Sequence, residues 1–109
     1  MPDLSPAQIQ ISRLTEPDGS RRLVVAGELD IAVADQLGDA AREHRASGQV
    51  LTIDLTQVTF MDSTGMRLLI VLDAESRTNG WRLSLLAGPA VWRVVELCGL
   101  QELLPVRLA

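Results

Sequence analysis

Strand-like apolar runs alternate with helix-like runs along most of this chain, and that order restricts the folds it can adopt. Residues 9–12 and 23–29 read as two strands joined by a turn cluster at 16–20, which predicts an antiparallel hairpin. Three further strand-like runs lie at 50–55, 81–87 and 103–106. The helix-like runs between them follow Asp30, Ser63 and Pro89. The order ββαβαβαβ predicts an α/β fold with a largely parallel sheet and right-handed crossovers.

The length of 109 residues fits a single domain over 1–109, and we expect residues 1–7 to be flexible. The last strand-like run contains Pro105, which cannot donate a ladder hydrogen bond, so we place that strand at an edge of the sheet. Cys98 lies among apolar residues at the end of the third helix-like run and is expected to be a buried thiol.

The charge of the chain argues against nucleic-acid partners. Its 10 basic residues, all arginine, are outnumbered by 14 acidic ones, whereas phosphate backbones are bound by basic faces. One histidine and one cysteine cannot build a zinc site alone, and we expect no metal and no cofactor. No apolar run is long enough to span a membrane, and the N-terminus lacks a secretory pattern. We therefore expect a cytoplasmic protein.

Ser63 lies where a strand-like run gives way to a helix-like run. A helix N-terminus offers free N–H groups and the positive end of the helix dipole, so a serine there is either an N-cap or a place for a phosphate. The local sequence by itself favours the cap. Phosphorylation would add a charge of about −1.5 to −2, and Arg67, one helical turn further, would offset part of it.

Asp30, like Ser63, lies at a junction where a strand-like run ends and a helix-like run follows. Such junctions gather at one end of a wound sheet, which predicts a common surface for the two residues. The alternative is that Asp30 only caps the next helix. Gly65, just inside the helix, either keeps the approach to Ser63 open or lets the helix start pack tightly on the sheet.

Hydrolase chemistry finds little support in the sequence. Asp62 is placed to act as a base for Ser63 or as a negative charge near the dipole, but His44 lies on another helix and no triad partner is evident. The Gly-x-Ser-x-Gly elbow of esterases is absent. In Asp-Ser-Thr-Gly, Thr64 stands where the aspartic protease motif needs glycine. We expect that the chain is not an enzyme.

Three blocks carry a family resemblance. Gly-Glu-Leu-Asp at 27–30, the run 50–65 ending in Asp-Ser-Thr-Gly, and the tail at 91–100 and 103–106 together resemble the STAS domain of bacterial anti-sigma factor antagonists. The likeness extends from about residue 9 to residue 106. It implies a small mixed β-sheet with helices packed mainly on one face.

The resemblance also implies a function. Such antagonists bind an anti-sigma factor that is also a serine kinase of the GHKL type, and this binding releases a sigma factor. The kinase then phosphorylates the serine that matches Ser63, the phosphoprotein dissociates, and a PP2C-type phosphatase resets it. Asp30, Asp62, Thr64 and Gly65 match positions that surround the phosphorylated serine and help to bind the partner. We expect Arg67, one helical turn further, to belong to the same binding surface. The family also implies a monomer when free.

Other STAS domains are not phosphorylated. The resemblance therefore leaves a second possibility, a scaffold or interaction subunit of a sensory or lipid-transport complex. The hydroxyl of Ser63 favours the phosphorylated type.

Overall fold

The strands follow one another across the sheet in chain order. A computed structural model describes residues 9–109, which form a five-stranded sheet of order β1-β2-β3-β4-β5 and three helices. The strands are β1 Gln10–Thr15, β2 Arg21–Leu29, β3 Val50–Met61, β4 Arg82–Ala87 and β5 Val106–Leu108. The helices are α1 Ala34–His44, α2 Ser63–Asn79 and α3 Pro89–Leu97. β1 runs antiparallel to β2, and the other neighbouring strands are parallel, so the expected mixed sheet is confirmed.

One face of the sheet is apolar and buried. In β3, Leu51, Ile53 and Leu55 are fully buried, whereas Thr52 and Asp54 between them are partly exposed. Each parallel crossover leads to the next strand in the same direction, and right-handed connections then keep the helices on one face. Their buried side chains, among them Leu37, Leu69 and Val91, join the strand side chains in one core. The sheet is therefore covered mainly on one face, as the family resemblance implies.

β3 extends to Met61, beyond the run 50–55 predicted from the sequence. Two irregularities in its pairing interrupt the alternation of buried and exposed residues after residue 55, so the alternation does not reveal the rest of the strand. The pairing of β2 with β3 shifts register between Val24 and Ala26 and again between Gly27 and Glu28, and each shift leaves an extra residue in β3. The buried positions of β3 are therefore spaced by two up to residue 55 and by three afterwards, at 58 and 61. Gly27 has φ +109°, a conformation that suits glycine at such a bend.

Two features of the C-terminal region correct the sequence interpretation. The final strand is Val106–Leu108 rather than 103–106, because Leu103 and Leu104 donate to Leu100 in a turn and pairing with β4 begins only after Pro105. Its edge position is confirmed. Cys98 is exposed rather than buried, because α3 ends at Leu97. The expected flexibility of residues 1–7 concerns residues outside the described part.

An ion pair joins α1 to α2. The Arg42 guanidinium donates to both carboxylate oxygens of Glu75, from Nε to Oε2 at 3.0 Å and from Nη2 to Oε1 at 2.9 Å. These hydrogen bonds lower the pKa of Glu75 and raise that of Arg42. Both side chains are about a third or more exposed, so solvent screening keeps the contribution of the pair small.

This ion pair makes stability depend on pH in a defined direction. Because the folded-state pKa of Glu75 is lowered, its stabilisation is present above the unfolded-state pKa, about 4.3, and is lost as the pH falls through the folded-state value. We expect Glu75→Gln to lower the free energy of unfolding by up to about 1 kcal/mol at pH 7 and by less at pH 3. Urea unfolding of both proteins measures this, with Glu96→Gln on α3 as the control. An equal loss at both pH values would contradict it.

Candidate functional site

The start of α2 is seated against the end of β2. Leu29 and Met61, the last residues of β2 and β3, pair with each other, and the Asp62 amide donates to the Leu29 carbonyl at 3.3 Å. Gly65 lies so close that a Cβ atom there would be 2.9 Å from the Leu29 carbonyl oxygen and 2.7 Å from Met61 Cγ. Of the two interpretations left open for Gly65, the structure therefore shows tight packing of the helix start on the strands.

Asp62, not Ser63, caps α2. The Asp62 Oδ1 atom accepts hydrogen bonds from the amides of Thr64 at 2.9 Å and Gly65 at 3.1 Å. The backbone of Asp62 is extended, as an N-cap requires, and Ser63 is the first helical residue. The expectation that Ser63 is the cap is thus wrong. Both residue types cap helices well, and the Asp62–Leu29 hydrogen bond fixes which of them occupies the position.

The Ser63 side chain is exposed and uncommitted. Within residues 9–109 its hydroxyl has no hydrogen-bond partner. Because the Asp62 carboxylate already occupies the amides of Thr64 and Gly65, these are not available to a phosphate on Ser63 unless that carboxylate moves away. The hydroxyl is therefore open to another molecule, while the amides of Thr64 and Gly65 at the helix end already have an acceptor.

Asp30 lies at the same end of the sheet. It directly follows Leu29 and is half-buried, so it shares a surface with the Asp62–Ser63 junction, as expected from the order of the elements. Its Oδ1 atom accepts from the Ala32 amide at 3.0 Å, and its carbonyl accepts from the amides of Val33 and Ala34. Asp30 thus forms a turn ahead of α1 and does not cap it, because the N-cap position of α1 is Val33, three residues later.

Arg67 and Thr64 border a shallow groove between α1 and α2. Thr64 is half-buried and Arg67 is exposed one turn along α2 from Ser63. The α1 side of the groove carries the charged residues Asp35 and Arg42. Asp30, Asp62, Ser63, Thr64 and Arg67 therefore form a polar stretch at this end of the sheet and along the first turn of α2, whereas Gly65 is buried.

Two exposed apolar residues flank this stretch, and sequence reasoning missed them. Ile31 is 75% exposed next to Asp30, and Phe60 is 49% exposed two residues before Asp62. Large apolar side chains left in solvent beside polar groups are typical of surfaces that bind other proteins. Strict alternation along β3 fails at residues 57–59, where Val58 is buried and its neighbours are exposed, and the second register shift restores the original phase, which leaves Phe60 exposed.

The geometry gives no support to hydrolysis at Ser63. The Asp62 carboxylate accepts from backbone amides, and His44 Nε2 lies 2.7 Å from the Leu14 carbonyl oxygen, at the C-terminal end of α1. In the described part of the chain, no cluster of three or more His, Cys, Asp or Glu side chains is arranged to hold a metal ion. No helix among residues 9–109 has the length and apolarity to cross a membrane.

Comparisons with known proteins agree with the fold. A family model described as "Mlab, STAS domain" matches residues 12–105. The anti-sigma-B factor antagonist of Listeria monocytogenes is 31% identical over 87 residues, which cover 78% of this chain and 76% of that protein. The crystal structure of an anti-sigma factor antagonist from Mycobacterium paratuberculosis has a TM-score of 0.78 and 29% identity, and covers 91% of this chain and 85% of that one. Osmosensory protein A of Mycobacterium tuberculosis is 29% identical over 69 residues, 63% of this chain and 44% of that protein.

The cap assignment predicts unequal effects of neighbouring substitutions. Asp62→Ala should lower the free energy of unfolding by about 1 kcal/mol, because two helix amides lose their acceptor. Asp62→Asn should retain most of that stability, since its amide oxygen also caps. Ser63→Ala should change stability by less than about 0.5 kcal/mol, as is usual for surface substitutions. Chemical denaturation of the three variants decides between these values. A loss at Ser63→Ala as large as that at Asp62→Ala would contradict the assignment.

Proposed function

Because this chain belongs to the STAS domain family, we propose that it is an anti-sigma factor antagonist regulated by phosphorylation of Ser63. In its unmodified form it binds an anti-sigma factor that is also a serine kinase of the GHKL type, and so releases a sigma factor. The relatives from Listeria monocytogenes and Mycobacterium paratuberculosis, both named as such antagonists, support the general role. The chain acts by binding, not as an enzyme, and as a monomer when free.

The observation that carries this proposal is the exposed hydroxyl of Ser63 on a firmly seated helix start. In the transfer step, Ser63 Oγ attacks the γ-phosphorus of ATP held with Mg²⁺ by the kinase. A new P–O bond forms, the bond to the β-phosphate oxygen breaks, ADP leaves, and a base of the kinase takes the hydroxyl proton. Because ATP is the donor, we expect this exchange in the cytoplasm.

The charge of the phosphate accounts for dissociation of the partner. Phosphorylation adds about −1.5 to −2 charges between Asp30 and Asp62, where acidic groups are already present. When the partner docks, this charge must be desolvated or paired, which costs several kcal/mol if the partner offers no cation. A PP2C-type phosphatase then hydrolyses the phosphoester, and water restores the hydroxyl and releases inorganic phosphate.

Ile31 and Phe60 supply the apolar contacts of the proposed interface. Interfaces depend on a few well-buried anchors, with aromatic residues enriched among them, surrounded by polar groups. These two side chains flank the polar residues Asp30, Asp62 and Ser63. Much of each side chain lies in solvent, so they contribute little to the packing of the folded chain. They support the proposal that this end of the sheet faces a protein partner.

A second candidate function is a non-phosphorylated scaffold or interaction subunit of a sensory or lipid-transport complex. It is favoured by the likeness to osmosensory protein A, whose name indicates a sensory role. This candidate predicts a stable complex with other proteins and no phosphate on Ser63.

Phosphorylation by the co-purified kinase separates the two candidates. The partner is isolated from the native cell on the immobilised unmodified protein and then given ATP and Mg²⁺. We expect one phosphate per chain, none in Ser63→Ala, and one in the control Thr64→Ala. Ser63→Ala should still bind the kinase, whereas Ser63→Glu should bind weakly. Intact-mass measurement and calorimetry provide the readouts. A stable complex without phosphate transfer would favour the scaffold, and a folded Ser63→Ala that no longer binds would contradict the switch.

Truncation of the apolar anchors should weaken partner binding without unfolding the chain. We expect Phe60→Ala and Ile31→Ala each to raise the Kd by about fivefold or more, corresponding to a loss above about 1 kcal/mol. Leu97→Ala is the matched control, because Leu97 is 79% exposed at the C-terminal end of α3. Calorimetric titration measures the three constants. Equal constants for Phe60→Ala and Leu97→Ala would place the interface elsewhere.

A further inference from the structure

Arg67 is a free cation beside the phosphorylation site. It is exposed on α2, and within residues 9–109 it forms no ion pair with a carboxylate. It lies along the groove between α1 and α2, next to the apolar side chains of Leu68 and Val71. An unpaired guanidinium beside apolar surface is suited to a carboxylate of another protein, which it can bind with two hydrogen bonds.

Arg42, on the opposite side of the same groove, differs from Arg67 because its guanidinium is already paired. Its guanidinium is already committed to Glu75 and lies 3.8 Å from the Asp39 carboxylate. The groove thus has one arginine that holds the two helices together and another that remains available. Asp35, on the same side as Arg42, is a carboxylate of this chain that lines the same groove as Arg67.

Helix geometry brings Arg67 within reach of a phosphate on Ser63. The two residues are four positions apart on α2, so their Cβ atoms lie about 5–6 Å apart on one face. Helical side chains lean toward the N-terminus, so the arginine extends over the turn that begins with Ser63. The amides of Thr64 and Gly65 are occupied by Asp62, so these two do not compete with the guanidinium as donors to the phosphate.

We propose that Arg67 binds a carboxylate of the anti-sigma partner when Ser63 is unmodified, and that phosphorylated Ser63 takes this guanidinium for itself. The inference rests on the proposed function and adds a second cause of dissociation to it. The phosphate introduces negative charge and also removes the cation that held the partner. The groove beside Ser63 is therefore part of the docking surface, and the group that it receives is acidic.

A phosphorus NMR titration tests the capture of Arg67 without any partner. Phosphoserine is incorporated at position 63 during synthesis, in the otherwise unchanged chain, in Arg67→Gln and in Arg77→Gln. Arg77→Gln removes the same charge from α2 at a position about 21 Å from Ser63 along the helix axis. Nearby carboxylates are common to all three proteins and lie on β2, the turn before α1, α1 and the start of α2: Glu28, Asp30, Asp35 and Asp62.

Loss of the ion pair should make the phosphate bind its last proton more tightly in Arg67→Gln than in Arg77→Gln, by about twofold in affinity. Titration midpoints that coincide in Arg67→Gln and Arg77→Gln would overturn the capture. This result does not depend on the identity of the kinase.

Binding of the co-purified kinase tests the other half of the inference. Arg67→Gln should weaken the unmodified complex by about tenfold, the effect of a close interfacial charge pair, while Arg77→Gln should leave it unchanged. The ratio of the Kd values with and without the phosphate should also be smaller in Arg67→Gln than in the unsubstituted chain. If the kinase binds and phosphorylation releases it, but Arg67→Gln behaves as Arg77→Gln does, the inference fails and the proposed function stands. If no kinase binds or transfers phosphate to Ser63, the proposed function fails.

Discussion

The contact between the start of α2 and the end of β2 determines how Ser63 is presented. The Asp62 amide donates to the Leu29 carbonyl, and Gly65 lies against the same residue at a distance that leaves no room for a side chain. Leu29 and Met61 are buried and paired, so the helix start inherits its position from the core of the sheet. A rigid support of this kind lets a single exposed hydroxyl be recognised in one defined orientation.

Structural and chemical roles are divided among neighbouring residues. The Asp62 carboxylate accepts from the amides of Thr64 and Gly65, and the missing side chain of Gly65 allows the helix start to pack against Leu29. The Ser63 side chain contributes to neither interaction. A modification of Ser63 therefore does not need to break any hydrogen bond of the fold. This division fits the proposed switch, in which the phosphate acts on the docking surface itself and the backbone keeps its arrangement.

The order of elements and the covered face follow directly from the sequence, because strands and helices differ in the period of their apolar residues. The same reasoning failed where that period changes. Beyond Leu55 the register shifts space the buried residues of β3 by three, so neither its full length nor the burial of Val58 follows from alternation. The sequence predicts the final strand too early in the chain, because Leu104 has the apolar character of a strand residue. In the structure Leu104 is buried in a turn.

The position of the Asp30 and Ser63 junctions at one end of the sheet follows from the order of the elements, but the hydrogen bonds there do not. Aspartate and serine have nearly equal capping preferences, so the sequence does not distinguish Asp62 from Ser63 as the cap. That choice is made by a contact with Leu29, which lies far away in the chain. Arg67 was expected to offset the charge of a phosphate. Its position along the groove, and its freedom compared with Arg42, appear only in three dimensions.

The central claim is that phosphorylation of Ser63 changes the surface of the molecule and leaves its fold intact. A crystal structure of the Ser63-phosphorylated protein tests this most directly. We expect backbone shifts below about 1 Å, the size usual for pre-organised surfaces, with Asp62 still bound to the amides of Thr64 and Gly65. A displacement of several ångströms at the junction of β2 and α2, or a phosphate that has replaced the Asp62 carboxylate at those amides, would contradict it.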